Sequence, residues 1–249
     1  MKTAIGCPWQ IFRLESVPST NSYVSERVQA LDNLSVVTAR CQSEGRGQRG
    51  NHWLAEPGEN LTFSVLLKFP EGHMEARQQM RLSALATVAL RDCLRDDYGI
   101  PAVIKWPNVL YVRDRKICGM LIENGLSRRW ITHSVLGIGL NVNQTEWDPS
   151  LLNPTSMRRI GGQTYDLDDV LGHFLDRLWT RLIDLTEESL WQEYATGLYR
   201  LGERHEWSDS DGRHFYGTIK GVRKDGRLEL LCDDGTSRLF AFKEIQYVL

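Results

Sequence analysis

Residues 45–50, with the sequence Gly-Arg-Gly-Gln-Arg-Gly, combine residue types that suit chemistry on an anion. Glycines let the backbone approach a ligand closely. Arginine side chains donate forked hydrogen bonds that match carboxylate and phosphate groups. The segment therefore predicts a flexible, cationic loop that grips an anion.

The glycine spacing matches G-x-G-x-x-G, the fingerprint of dinucleotide-binding folds. That fingerprint requires the glycines to open a helix, whose amide end holds the pyrophosphate. Pro57 and Gly58 follow closely and break any helix there. The interpretation as a dinucleotide site is therefore rejected. A mobile surface loop and an RNA-binding Arg-Gly segment remain alternatives, and the single copy and net charge of -2 weaken the second.

Two further segments carry candidate residues. Lys105-Trp106-Pro107-Asn108 contains a bend imposed by proline, which suits either an ordinary turn at the end of a strand or a binding site. Lys116 lies where a strand leaves a charged turn. If that strand is internal to a sheet, its ammonium group points into a cleft and not into bulk water. The glycines of residues 137–143 indicate that something lies close against the next strand.

Other chemistries find no support in the sequence. The five cysteines form no C-x-x-C pair, which predicts free thiols in a reducing cytoplasm. The six histidines lack metal-ligand spacing, so no metal site is predicted. No nucleophile elbow or Walker loop is present. The N-terminus resembles neither a signal peptide nor a membrane span.

Hydrophobic periodicity places these motifs on an α/β body. We expect a helix from a cap at Ser19 to about Leu31, and further helices over Met74–Tyr98, Asp166–Leu185 and Glu188–Tyr199. Strands are predicted over Ser35–Arg40, Leu61–Lys68, Val103–Ile104, Val109–Val112, Ile117–Glu123 and Trp130–Val142.

The composition changes near Glu203. Short strand patterns there are separated by Asp-Gly pairs at 211–212, 225–226 and 234–235, which favour tight hairpins. We expect an α/β (α+β) domain over residues 1–202, with a mixed sheet flanked by helices, and a small β-barrel domain over 203–249. The net charge of -2 provides no overall attraction to nucleic acid or to a membrane surface.

Taken in order, the motifs resemble those of the biotin–protein ligases. The resemblance rests on Ser19-Thr20-Asn21, on residues 45–50 with Trp53, and on residues 105–108, 115–119 and Gly139-Leu140-Asn141. Each motif alone is weak, but the set in this order is specific and spans essentially the whole chain. Lipoate ligases have a related body but lack this glycine–arginine loop.

The resemblance implies a class II synthetase-like catalytic body, a C-terminal SH3-like barrel and a two-step reaction. ATP first activates biotin as biotinyl-5′-adenylate, and a lysine of a biotin carboxyl carrier protein then takes the biotin and releases AMP. Mg²⁺ would accompany the phosphates. The loop would close over the intermediate and exclude water.

The resemblance also implies roles for individual residues. Arg46 and Lys116 would be the catalytic cations. Biotin would contact Ser19, Thr20, Asn21, Gln42, Gly45, Arg46, Gly47, Lys116 and Gly119. ATP would contact Gln48, Arg49, Gly50, Trp53, Asn108, Lys116 and Asn141.

Three positions depart from the family's usual pattern. Val109 stands where an acidic residue normally follows the Trp-Pro-Asn, so the metal-binding or amine-orienting role of that carboxylate is in doubt. Gln48 replaces an arginine of some members, and Asn51 a basic residue.

Partners and location follow from the same resemblance. Ser19 and Thr20 lie so near the start that we expect no DNA-binding domain and no nucleic-acid partner. We expect a cytoplasmic enzyme, with a homodimer possible by analogy. A ligase for lipoate or another acyl acid is the alternative within the enzyme class. A non-catalytic module that senses biotin or nucleotide is the alternative outside it.

Overall fold

The computed structural model describes residues 8–184 and 186–248. Its larger sheet has the strand order β1-β2-β3-β7-β6-β5-β4. The β1 and β2 strands are parallel, and the remaining neighbours are antiparallel. The strands are β1 (Gln10–Val17), β2 (Ser35–Gln42), β3 (Leu61–Lys68), β4 (Val103–Lys105), β5 (Val109–Val112), β6 (Arg115–Ser127) and β7 (Trp130–Leu140).

Helices cover both faces of this sheet. They are α1 (Thr20–Glu26), α2 (Gln79–Asp92), α3 (Met157–Gly161), α4 (Leu167–Asp184) and α5 (Glu187–Thr196). Successive residues of a strand point to opposite faces, so Val37 packs with α1 whereas Val36 packs in the cluster that contains α2 and α4. The predicted mixed sheet flanked by helices is confirmed. No helix in the described ranges is long and apolar enough to cross a membrane.

Several boundaries differ from the prediction. The helix expected over Met74–Tyr98 is divided into a 3₁₀ turn at Ala76–Gln78, helix α2, and a π turn at Cys93–Asp97. A capping box between Glu75 and Gln78 fixes the first turn. The helix predicted to reach Leu185 ends at Asp184, and Leu185 lies outside the described residues, as does Cys7.

The sequence analysis did not predict β1 or α3. As an edge strand with mostly exposed side chains, β1 lacks the hydrophobic alternation that marks a strand, and it is recognised through its pairing with β2. Helix α3 has only five residues, and its start is fixed by the Ser156 side chain, which accepts from the Arg159 amide.

The C-terminal residues form a five-stranded antiparallel sheet of order β11-β10-β9-β8-β12. Asp-Gly turns join β8 to β9, β9 to β10 and β10 to β11, as predicted. Each glycine has a positive φ, for example 88° at Gly226. Pairing between β11 and β12 is not present among the described strands, so closure into a barrel stays a prediction, as do the domain boundaries. The strands are β8 (Arg204–Asp209), β9 (His214–Val222), β10 (Leu228–Cys232), β11 (Ser237–Phe240) and β12 (Ile245–Tyr247).

Lys105 and Trp106 join the two sheets. The buried indole of Trp106 donates to the carbonyl of Gly226 at 2.9 Å, in the turn between β9 and β10. Lys105 Nζ lies 4.9 Å from the centre of the Tyr247 ring, and burial lowers the pKa of this lysine to about 8. The C-terminal sheet therefore fixes the bend that carries Asn108.

A buried ionic network joins the helices behind the sheet. Asp92 is 2% exposed and pairs with Arg91, Arg95 and Arg181. Arg91 also donates to the Glu193 carbonyl at 2.6 Å, so the network links α2, α4 and α5. Every charged side chain of the network has a partner of opposite charge, which offsets the free-energy cost of removing it from water.

Substitution Asp92→Ala should destabilise the protein by about 3–5 kcal/mol, because it leaves the buried Arg91 guanidinium without its counter-ion. Urea unfolding followed by circular dichroism measures the change. Asp168→Ala breaks the exposed pair with Arg13 and should cost less than about 1 kcal/mol. Equal losses in the two variants would contradict the network's role.

Candidate functional site

A cavity of about 190 Å³ lies between the start of α1, the glycine–arginine loop and strands β6 and β7. Of the described residues that line it, none is acidic. Most of the predicted site residues meet there: Ser19, Thr20, Asn21, Gln42, Arg46, Gly47, Gln48, Trp53, Lys116 and Gly119. Val109 and Asn51, two of the departures from the usual pattern, also line it.

Neutral hydrogen-bonding groups form one end of the cavity. Gln42 Oε1 accepts from the Thr20 amide at 2.7 Å and from the Thr20 hydroxyl at 3.1 Å. The Ser64 hydroxyl lies 2.8 Å from Thr20 Oγ1 and 2.6 Å from Asn21 Oδ1, and its single proton can serve one of them at a time. Ser19 caps the helix whose first residues carry these groups.

Asn21 is held against strands β6 and β7. Its amide nitrogen donates to the Leu121 carbonyl at 3.1 Å and to Glu123 Oε2 at 2.8 Å. A side chain at Gly137 would overlap the Asn21 amide, so the glycine leaves the space that Asn21 fills. This end of the cavity is consequently rigid.

Lys116 supplies a positive charge at the other end. Strand β6 is internal, between β5 and β7, and Lys116 lines the cavity as the sequence predicts for an internal strand. Its Nζ lies 5.4 Å from the centre of the Trp53 ring. Burial lowers the pKa of this ammonium, and no acidic residue among those described forms an ion pair with it. The electrostatic attraction of an entering anion would offset the free-energy cost of burying the Lys116 ammonium.

Two paired glycines make room for the Trp53 indole. Gly119 on β6 and Gly139 on β7 face each other in register. A Cβ at Gly139 would overlap the Trp53 ring, and one at Gly119 would lie 3.1 Å from Lys116 Nζ. The prediction that something lies close against this strand is therefore confirmed. The Trp53 indole nitrogen is buried and finds no hydrogen-bond acceptor in the described structure.

The glycine–arginine loop folds back on itself. The Gly47 amide donates to the Asn51 carbonyl at 2.7 Å and the Trp53 amide to the Gly45 carbonyl at 2.8 Å. The loop contains one 3₁₀ turn, Gln48–Gly50, and no α-helix, which agrees with rejecting the dinucleotide fingerprint. Arg46 Nη2 lies 2.7 Å from Glu123 Oε2.

Gln48 joins the loop to the proline bend. Its amide donates to Asn108 Oδ1 at 2.8 Å and to the Met120 carbonyl at 3.2 Å. Asn108 lies in an adjoining cavity of about 600 Å³ at the junction with the C-terminal sheet, and Gln48 borders both cavities. A third cavity, of about 310 Å³, is lined by Gly45, Trp53 and Trp147.

Asn141 and Gly50 do not belong to the described lining of the 190 Å³ cavity. Asn141 is buried and donates to the Thr155 carbonyl at 2.9 Å, so it secures the segment before α3. Gly50 has a φ of 77° and shapes the loop. The side chain of Arg49 lies outside the described part of the chain. Their roles toward a nucleotide stay predictions.

Glu123 and Ser64 were missed in the sequence analysis. Both lie within predicted strands, where a polar residue usually indicates a solvent-facing position. The signal was the alternation along β6, which puts Glu123 on the same face as Gly119 and Leu121. Ser64 lies in a run of apolar residues on β3, where a hydroxyl needs a polar partner.

The arrangement suits an elongated ligand with a neutral polar head and an anionic end. Hydroxyl and amide groups line one part of the cavity, and the Lys116 ammonium lies in another, beside Trp53. Arg46 also lines the cavity, and its guanidinium shares Glu123 Oε2 with Asn21. No group of three or more histidine, cysteine, aspartate or glutamate residues in the described structure could hold a metal ion.

Known proteins are similar to this chain in sequence and in fold. "Bifunctional ligase/repressor BirA" of Bacillus subtilis is 29% identical, and the match covers 83% of this chain. The chain spans only 64% of that relative's length. "Biotin--[acetyl-CoA-carboxylase] ligase" of Mycobacterium tuberculosis is 26% identical, over 90% of this chain and 84% of its own.

A solved structure has the same architecture. The Aquifex aeolicus biotin protein ligase in complex with biotin and ATP superposes with a TM-score of 0.79 and 26% identity, over 96% of this chain and 99% of that one. A family model matches residues 13–141, which is more than half of the chain and contains all the lining residues of the 190 Å³ cavity. The chain therefore belongs to the Biotin/lipoate A/B protein ligase family.

Proposed function

We propose that the protein is a biotin–protein ligase, which activates biotin with ATP and transfers it to a lysine of a biotin carboxyl carrier protein. The observation that carries this proposal is the polarity of the cavity. Its lining combines neutral donors and acceptors with two cations, Arg46 and Lys116, and no described lining residue is acidic. The names of the relatives support the same substrates and acceptor.

The neutral end suits a ureido group, which has two N–H donors and one carbonyl acceptor. Ser19, Thr20, Asn21 and Gln42 offer hydroxyl and amide groups that match both kinds of atom. Because Thr20 and Asn21 are held by Ser64, and Gln42 is bonded to Thr20, little conformational entropy is lost on binding. The rest of the molecule then extends toward Lys116.

The charged end suits the first chemical step. A biotin carboxylate oxygen attacks the α-phosphorus of ATP, a new P–O bond forms, and pyrophosphate leaves with the electron pair of the broken P–O bond. Both reactants are anions and repel each other. Lys116 and Arg46 offset this repulsion and stabilise the charge that develops on the phosphoryl oxygens. Mg²⁺ would be bound mainly by the phosphates of ATP.

The second step uses the same site. The acceptor lysine amine attacks the carbonyl carbon of the adenylate, a C–N bond forms, the C–O bond to AMP breaks, and the amine loses a proton. Trp53, Gln48 and Asn108 are the proposed nucleotide contacts, because they border the cavity or its neighbours. The loop over residues 45–53 would protect the adenylate from water.

A cytoplasmic location, the absence of a nucleic-acid partner and a homodimer belong to this proposal and await tests. A non-catalytic sensor of biotin is the second candidate, since Val109 lines the cavity where relatives usually have an acidic residue.

The first prediction concerns the reaction. Purified protein with biotin, ATP and Mg²⁺ should release pyrophosphate and form biotinyl-adenylate, measured by chromatography and mass spectrometry. Biotin and ATP together should raise the melting temperature more than either alone, because a trapped intermediate binds most tightly. Biotin binding without pyrophosphate release would favour the sensor, and activity with lipoate but not biotin would favour a lipoate ligase.

The second prediction concerns Lys116. Lys116→Met should lower the rate of adenylate formation about 10²–10³-fold, the usual cost of removing one donor to developing charge. The exposed Lys220→Met is the matched control and should leave the rate unchanged.

Because the pKa of Lys116 is lowered, kcat/KM for adenylate formation should fall as pH rises, starting below the pKa of an ordinary lysine. Lys116→Arg keeps its charge and should lose this alkaline decline. An unchanged pH profile in Lys116→Arg would remove the ammonium from the mechanism.

The third prediction concerns Val109. Val109→Asp introduces a carboxylate that lines the same cavity as Lys116 and should raise, or at least not lower, transfer from adenylate to carrier. Single-turnover transfer from preformed biotinyl-adenylate measures this step alone, and Val109→Asn is the neutral control. A large loss in both variants would mean that the site has adapted to valine, and a loss in Val109→Asp alone would mean that the site does not tolerate a carboxylate there.

A further inference from the structure

We infer that Glu123 is a positioning residue, which anchors Arg46 and with it the loop over residues 45–53 to strand β6. The inference starts from one shared atom. Glu123 Oε2 accepts from Arg46 Nη2 at 2.7 Å and from Asn21 Nδ2 at 2.8 Å. A single carboxylate oxygen therefore joins the loop to the neutral end of the cavity.

Glu123 is itself held in place from the neutral end. Asn21 donates to the Leu121 carbonyl as well as to Glu123, and Ser64 lies 2.6 Å from its side-chain oxygen. Asn21 and Ser64 are both buried. The carboxylate consequently presents its charge to Arg46 from a fixed position.

Besides the Trp53 indole, which packs against Gly119 and Gly139, the described loop residues make few side-chain hydrogen bonds to the rest of the protein. Its internal bonds, such as those from Gly47 to Asn51 and from Trp53 to Gly45, join parts of the loop to each other. Gln48 attaches it to Asn108 and Met120 through a neutral amide. Among the side chains that the structure describes, the contact between Arg46 and Glu123 is the ion pair that ties this loop to the sheet.

The pair leaves Arg46 available for a ligand. A guanidinium has five N–H donors, and the bond to Glu123 uses one of its nitrogens. Arg46 also lines the cavity, so its remaining donors can meet an anion there. Holding the cation at the rim in advance reduces the reorganisation that the reaction would otherwise require.

Hydrogen exchange of the ligand-free protein, measured by mass spectrometry, tests the anchor without reference to catalysis. Glu123→Gln is nearly isosteric and keeps an oxygen that can accept from Asn21, but it removes the charge. The amides of residues 45–53 should exchange about two- to five-fold faster, the change that a partly exposed ion pair supports. Asp168→Asn, which breaks the exposed pair with Arg13, is the matched control and should leave this loop unchanged.

Salt provides a readout that a purely structural role would not move. The pair is partly exposed, with 42% of the Arg46 side chain and 35% of the Glu123 side chain accessible. Raising ionic strength should speed exchange of the loop in the parent protein and have little effect in Glu123→Gln.

Two results would overturn the inference. Loop exchange in Glu123→Gln equal to that of the parent, with the same salt dependence, would mean that the ion pair does not hold the loop. Faster exchange throughout β3, β6 and β7 together with a lower melting temperature would make Glu123 a brace for the sheet.

The consequence for catalysis rests on the proposed function. If the loop retains the adenylate, Glu123→Gln should release more biotinyl-adenylate into solution per pyrophosphate formed, about two- to five-fold, with the rate of adenylate formation changed less. Faster loop exchange without increased release would separate the anchor from catalysis. A parent protein that forms no adenylate would defeat the proposed function and leave the exchange result standing.

Discussion

The structure depends on keeping a lysine ammonium charged while it is largely removed from water. Lys116 projects from an internal strand, and burial makes its charged form costly. Such a group is stabilised either by an adjacent carboxylate of the protein or by an anionic ligand. The described structure gives Lys116 an aromatic face, that of Trp53, which attracts a cation without neutralising it. The cavity is therefore electrostatically incomplete without an anion.

The neighbouring strands and the glycine–arginine loop leave the Lys116 ammonium without an acidic partner among the described residues. Gly119 and Gly139 leave the space into which the indole fits, and the antiparallel register of β6 and β7 brings the two glycines opposite each other. Glu123 accepts hydrogen bonds from both Arg46 and Asn21, so it pairs with the loop and not with the Lys116 ammonium. In the proposed function, neutral amides and hydroxyls recognise the head group, and the Lys116 ammonium acts at the reacting carboxylate.

Much of this organisation could be predicted from the sequence. The internal strands appear as apolar runs, the hairpins of the C-terminal sheet are marked by Asp-Gly, and three site segments, 45–50, 105–108 and 115–119, contain glycine or proline near a charge. Strand β1 could not be predicted because an exposed edge lacks a hydrophobic period. Glu123 could not be predicted because its role depends on two partners that are distant in sequence, Asn21 and Arg46. The motif also did not indicate the structural contact of Asn141, whose amide donates to the Thr155 carbonyl, and its role toward a nucleotide stays a prediction.

The junction at Trp106 gives the site a mechanical connection to the C-terminal sheet. The turn at Gly226 bonds the indole, Asn108 follows two residues later, and its side chain accepts from Gln48 of the loop. A displacement of that turn would therefore reach the loop beside Lys116 through these two hydrogen bonds and the short segment from Trp106 to Asn108. The small sheet is thus linked to the cavity by a short series of contacts, although none of its described strands lines that cavity.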